Sequence, residues 1–148
     1  MSVESLIHVL LEEADLIDEL IDNVVKQREF VKKGDYAAMQ ELMKYIQDGS
    51  FRVRAQEGQR SRLAASVAEK LGCEPRLSAL AEAVPQEIRA LFGGAGERLR
   101  HSVFALKSEI AILSSLIEQN ERFSAMLLSE WRRLDAGFMH SGGLDFRG

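Results

Sequence analysis

Cysteine, proline and aromatic residues are all scarce in this chain, and each scarcity excludes something. The lone cysteine, Cys73, can form neither an internal disulfide nor a multi-cysteine zinc site, so a reducing compartment, the cytoplasm, is expected. Two prolines and 7% aromatics in 148 residues do not suit a collagen-like or strand-rich chain, and 46% hydrophobic residues do not suit a disordered one. A run of about 18 apolar residues is also missing, and acidic Glu4 stands where a cleavable signal would begin basic. Neither signal-directed export nor direct membrane insertion is therefore expected. A basic footprint for nucleic acid is absent as well: net charge is −4, residues 1–74 hold 10 basic and 14 acidic groups, and 75–148 hold 9 of each. The local candidate, Arg52, Arg54, Arg60 and Arg62, is interrupted by Glu57 and has only Phe51 as an aromatic neighbour. It reads as a solvated helix face, with no nucleic-acid partner.

What is present is helical periodicity. From Val3 to Lys33 positions at alternating spacings of four and three are apolar in eight of nine cases: Val3, Ile7, Leu10, Ala14, Ile17, Ile21, Val24 and, after Arg28, Val31. A neighbouring row through Leu6, Leu16 and Leu20 widens this to the stripe of a bundle helix. Acids crowd the start of the segment and Lys26, Arg28, Lys32 and Lys33 its end, the order that complements a helix dipole. Gly34 is predicted to stop this helix and Asp35 to cap the next, making an antiparallel hairpin. A second helix is predicted over Tyr36 to Leu71 with Met39, Leu42, Ile46, Val53, Leu63 and Val67 on its seam, ended by Gly72. Gly49, Gln56 and Arg60 also fall on that seam and predict a weakly packed, bent middle.

Leu77, Leu80, Ala81 and Val84 predict a short helical segment, and Pro85 opens another piece, Gln86 to Phe92. Gly93, Gly94 and Gly96 would together cost about 3 kcal/mol inside a helix, so a break or kink is expected there. The last helix then runs from Glu97 to Leu134 with an apolar stripe wider than two neighbours cover easily. The expected fold is all-α: an antiparallel bundle of three long helices with a short helical connector between the second and third. One domain spans 1–134, with the connector at 72–96 and a flexible tail over 135–148.

No catalytic constellation can be assembled. His8, His101 and His140 do not stand beside Cys73 or a serine in a nucleophile motif, and the glycine run lacks the lysine and spacing of a phosphate loop. Glu4 and His8, and Glu97 and His101, are four apart, whereas the helical di-iron repeat has Glu and His three apart. No metal, no cofactor and no enzymatic activity are expected. Two rival readings are a structural or adaptor bundle and a histidine phosphotransfer module using His101. The second lacks the lysine and glycine expected after such a histidine, since the chain continues Ser102-Val103-Phe104-Ala105.

Over residues 3–134 the pattern resembles the FlgN-type flagellar export chaperones. The resemblance is carried by Leu16-Ile17-Asp18-Glu19-Leu20 in the acidic first helix, Lys33 to Leu42 around the first turn, the polar stretch Arg60-Ser61-Arg62-Leu63, and Leu116 to Phe123. In the last of these Asn120 matches the second asparagine of an Asn-x-x-Asn pattern, and Ile117 stands in place of the first. The resemblance implies a cytoplasmic type III secretion chaperone. Its clients would be hook-associated proteins of the FlgK and FlgL type, kept soluble and delivered to the flagellar export gate and ATPase complex; a homodimer is compatible with it. Client binding is expected on the last helix, through Ile110, Leu113, Ile117, Asn120, Phe123, Met126, Leu127 and Trp131. Surplus Leu, Ile and Met on one helix can cover a segment that is disordered before assembly.

Overall fold

The computed structural model describes residues 2–120 and 124–139, without the side chains of 124–127, 138 and 139. All regular structure among the described residues is helical: α1 (Val3–Lys33), α2 (Tyr36–Leu71), α3 (Leu77–Ala83), a 3-10 turn (Gln86–Ile88), α4 (Arg89–Gln119) and α5 (Ser124–Met139). The ends of the first two helices follow from local chemistry. The Ser2 hydroxyl accepts the Ser5 N–H at 3.1 Å. Gly34 adopts φ 69°, a left-handed conformation that costs an L side chain strain, and this lets the Asp35 N–H reach back to the Phe30 carbonyl at 3.0 Å. Asp35 then accepts the Ala38 N–H and caps α2. Gly72 at φ 70° closes α2 in the same way, with the Cys73 N–H bonded to the Ala68 carbonyl.

Helix α1 is the shared partner of the fold, packed on α2 along one side and α4 along the other. Gln27 meets Met39, Leu20 meets Gly49 and Glu13 meets Arg60, so α2 runs antiparallel to α1. Arg98 reaches the Leu11 carbonyl and Arg28 meets Glu109 at 3.0 Å, so α4 runs parallel to it. The middle of α2, expected to be weakly packed, is continuous helix and is filled specifically. A side chain on Gly49 would come within 3.3 Å of Leu20 Cδ1, so glycine allows α1 to approach. Gln56 donates to Glu12 at 2.8 Å, and Arg60 Nε to Glu13 Oε1 at 2.8 Å.

The third long helix differs from expectation at both ends. Helix α4 begins at Arg89 and runs through Gly93, Gly94 and Gly96 without a break. The glycine cost is real, but Phe92, Ala95 and Leu99 between and beside these glycines are buried in the core. Burial of a side chain such as Phe92 contributes about 1.5–3 kcal/mol, enough to hold the segment helical. The break lies instead at Asn120, whose backbone is extended at φ −110° and ψ 94°. The expected helix to Leu134 is thus two helices, and α5 folds back against α4. The expected tail also begins inside α5, since Asp135 to Met139 are helical; residues 140–148 lie outside the described residues. Helix α3 bridges α2 and α4 at the opposite end, burying Leu77 and Leu80 ahead of the buried Val84. Arg89 ties this end down by donating to the carbonyls of Glu82 and Val84, both at 3.1 Å.

Candidate functional site

The α4–α5 hairpin carries the expected binding residues. Ile110, Leu113 and Ile117 follow one face of α4 at helical spacing, in line with Leu99, Val103 and Leu106, and all six are buried. Trp131 on α5 is buried too, at 1% exposure, and belongs with Leu134 to the same apolar core. Asn120 is half-buried at the end of α4, where its N–H bonds the Ile117 carbonyl at 3.0 Å. The side chains of Met126 and Leu127 on α5, and Phe123 as a whole, lie outside the described residues. Four members of the expected set therefore share one interior, and in this conformation α5 is part of what covers α4. The unusual width of the apolar stripe is used, at least in part, by one half of the segment packing on the other.

Polar groups around this seam are unevenly satisfied. Glu118 on α4 and Arg132 on α5 pair at 3.2 Å across the hairpin, and Arg133 pairs with Glu130 within α5. The Trp131 indole N–H, by contrast, is buried with no hydrogen-bond acceptor among the described residues. A buried donor left unpaired costs about 1–3 kcal/mol, so α5 is seated here at a local energetic disadvantage.

Exposed apolar surface lies elsewhere, and it includes Ile112, whose periodicity placed it at the margin of the last helix's stripe. Phe104 and Ile112 on the outer face of α4 are 56% and 40% exposed, and the Arg100 guanidinium sits 5.6 Å from the centre of the Phe104 ring. On α2, Phe51 lines a groove of about 280 Å³ shared with Leu134, Glu130 and Arg133 of α5. This groove was not legible in the sequence, because it exists only once α5 has folded back beside α2.

The other chemical candidates are placed plainly. His8 pairs with Glu12 at 2.8 Å on the exposed side of α1, while His101 is exposed on α4. Cys73 is half-buried in the turn after α2. Among the described residues no group of three or more His, Cys, Asp or Glu side chains is arranged to hold a metal. No described helix is long and apolar enough to cross a membrane. Of the four arginines considered for nucleic acid, Arg52 pairs with Asp48 at 3.2 Å and Arg60 is buried against Glu13. Both are committed within the protein.

Comparison with curated proteins and with solved structures gives no match. A family model described as FlgN protein matches residues 1–138, nearly the whole chain.

Proposed function

Because the chain belongs to the FlgN family of flagellar export chaperones, we propose that it binds hook-associated proteins of the FlgK and FlgL type in the cytoplasm and hands them to the flagellar type III export apparatus. The client site is the seam between α4 and α5. The observation that carries this reading is the seam itself: Ile110, Leu113, Ile117 and Trp131 form continuous apolar surface whose cover includes α5. That helix follows Asn120 in the chain and is seated with an indole N–H that has no acceptor among the described residues. A client helix or extended segment with apolar side chains takes the place of part of this contact, so α5 shifts as the client enters. Such exchange conserves buried apolar area, which is how a chaperone can hold a client firmly and still release it. No nucleotide or catalytic group is needed for that task, and the family is not an enzyme family.

The test compares client affinity and thermal unfolding for Phe123→Ala, Met126→Ala and Trp131→Ala with changes at the half-buried Ile7, Leu11 and Ile21 of α1. Phe123→Ala or Met126→Ala is expected to weaken binding at least tenfold, corresponding to about 1.4 kcal/mol or more. Trp131→Ala is expected to lower both affinity and stability. Parental affinity in all three variants, with binding abolished by the α1 changes, would move the site to α1.

A further inference from the structure

In the conformation described, Ile110, Leu113, Ile117 and Trp131 are out of a partner's reach, so the first contact with a client must be made by groups already exposed. The groove between α2 and α5 is open in this same conformation, and α5 forms one of its walls. Phe51 stands on the α2 side at 74% exposure, the most exposed large apolar side chain among the described residues, and Leu134 faces the groove from α5. Ser50, 5% exposed, also lines it. Arg54 completes the α2 side. Its guanidinium lies against Gly137 in the last turns of α5, so a side chain there would require Arg54 to move aside.

Arg54 pairs with no carboxylate among the described residues. Its neighbours do: Arg52 is held by Asp48, Arg132 by Glu118 and Arg133 by Glu130. Among the described residues the groove therefore offers one cation without a carboxylate partner, Arg54, beside the apolar Phe51 and Leu134. A single spare guanidinium, with Glu130 nearby, does not suit a polyanion. It suits one carboxylate adjoining one aliphatic side chain on a peptide.

We propose that the α2–α5 groove is the encounter site for the client, taking an aliphatic side chain against Phe51 and Leu134 and a neighbouring Asp or Glu carboxylate on Arg54 before the α4–α5 seam opens. The proposal rests on the client-binding reading above. Exposed charge acts chiefly on association, and contacts in the final complex act chiefly on dissociation, so the two rate constants separate the possibilities.

The experiment is stopped-flow binding of a dye-labelled, purified FlgK-type protein to the full chain and to Arg54→Glu, Phe51→Ala and Arg62→Glu, with thermal unfolding as the check on folding. Arg62 is the control, an exposed arginine of α2 outside the groove. Arg54→Glu is expected to slow association about tenfold and to flatten its dependence on salt, with dissociation within about twofold of the parent. Phe51→Ala should slow association about threefold, and Arg62→Glu should leave both rates within about twofold. Unchanged association in Arg54→Glu, an equal effect of Arg62→Glu, or an effect confined to dissociation would each overturn the encounter site while leaving the chaperone reading intact. Failure of the parent chain to bind the client would overturn both.

Discussion

Glu13 and Arg60 are the most constrained pair of side chains in the described structure. Both are essentially unexposed, joined at 2.8 Å between α1 and α2, with Glu57 at 3.9 Å from the same guanidinium. Removing two charges from water is expensive, and the attraction between them offsets that cost only when the remaining polar atoms are satisfied; here Glu13 Oε2 has no partner. Burial raises the Glu13 carboxyl above its ordinary range, and the charge and hydrogen bond of Arg60 oppose that rise without cancelling it. Glu13→Leu alone takes away the close 2.8 Å partner of a guanidinium that stays buried, and is expected to cost about 3–5 kcal/mol in urea unfolding. Glu13→Leu with Arg60→Met should be neutral, or stabilising by about 1–4 kcal/mol. The pH dependence follows from the direction of the shift. A raised folded pKa means that folding takes up a proton, so the stabilising contribution is complete below the unfolded value of 4.5 and is lost as pH rises through the folded value. The stability of the parent chain relative to the double variant should therefore fall as pH rises above the unfolded value of 4.5. A flat difference would show that the carboxyl titrates as it does in water.

Among the elements, α4 carries a cost that its surroundings do not explain. A side chain at Gly93, Gly94 or Gly96 would meet nothing within 4 Å, so neither close packing nor a positive φ requires glycine there. Each change to alanine should stabilise by about 1 kcal/mol, and the triple variant should melt roughly 6–12 °C higher. Gly34→Ala should act in the opposite direction, losing about 1–2 kcal/mol, because its φ of 69° is forced by the turn. A triple variant no more stable than the parent would mean that this part of α4 is not helical in solution.

The same elements show what could be read from the chain and what could not. Helices α1 and α2 were legible to the residue because Gly34, Asp35 and Gly72 mark their ends with local chemistry. The glycine run was misjudged because its local cost is outweighed by burial of Phe92, Ala95 and Leu99, a tertiary effect. The break at Asn120 was hidden, since the apolar period continues across it from Ile117 toward Trp131. Arg60 and Gln56 looked like weak layers, yet the register set by the Gly34 turn brings Glu13 and Glu12 beside them. Of the residues proposed to bind the client, the common face of Ile110, Leu113 and Ile117 on α4 was legible in their helical spacing. Their burial was not, because it depends on α5 turning back.

Taken as a whole, the molecule sets a firmly joined body against a less firmly seated cover. Helix α1 is locked to α2 by Gln27, Glu13 and Gly49, and to α4 by Arg98 with Asp15 and Asp18 and by Ser102 with Asp18 at 2.7 Å. Among the described residues helix α5 is joined to α4 by one exposed ion pair and an apolar face, and its indole donor has no acceptor. A client that exchanges with part of the α5 contact leaves the α1–α2–α4 body unchanged. Trp131 is the sole tryptophan of the chain and lies on α5, the helix proposed to shift, so it would report the exchange directly. The decisive measurement is the fluorine NMR signal of 5-fluorotryptophan at position 131 during titration with a purified, unlabelled FlgK-type protein. The account predicts that the resonance of the buried indole is replaced, in proportion to complex formed, by one at a new shift. A resonance that stays in place while sedimentation shows stoichiometric complex would contradict it.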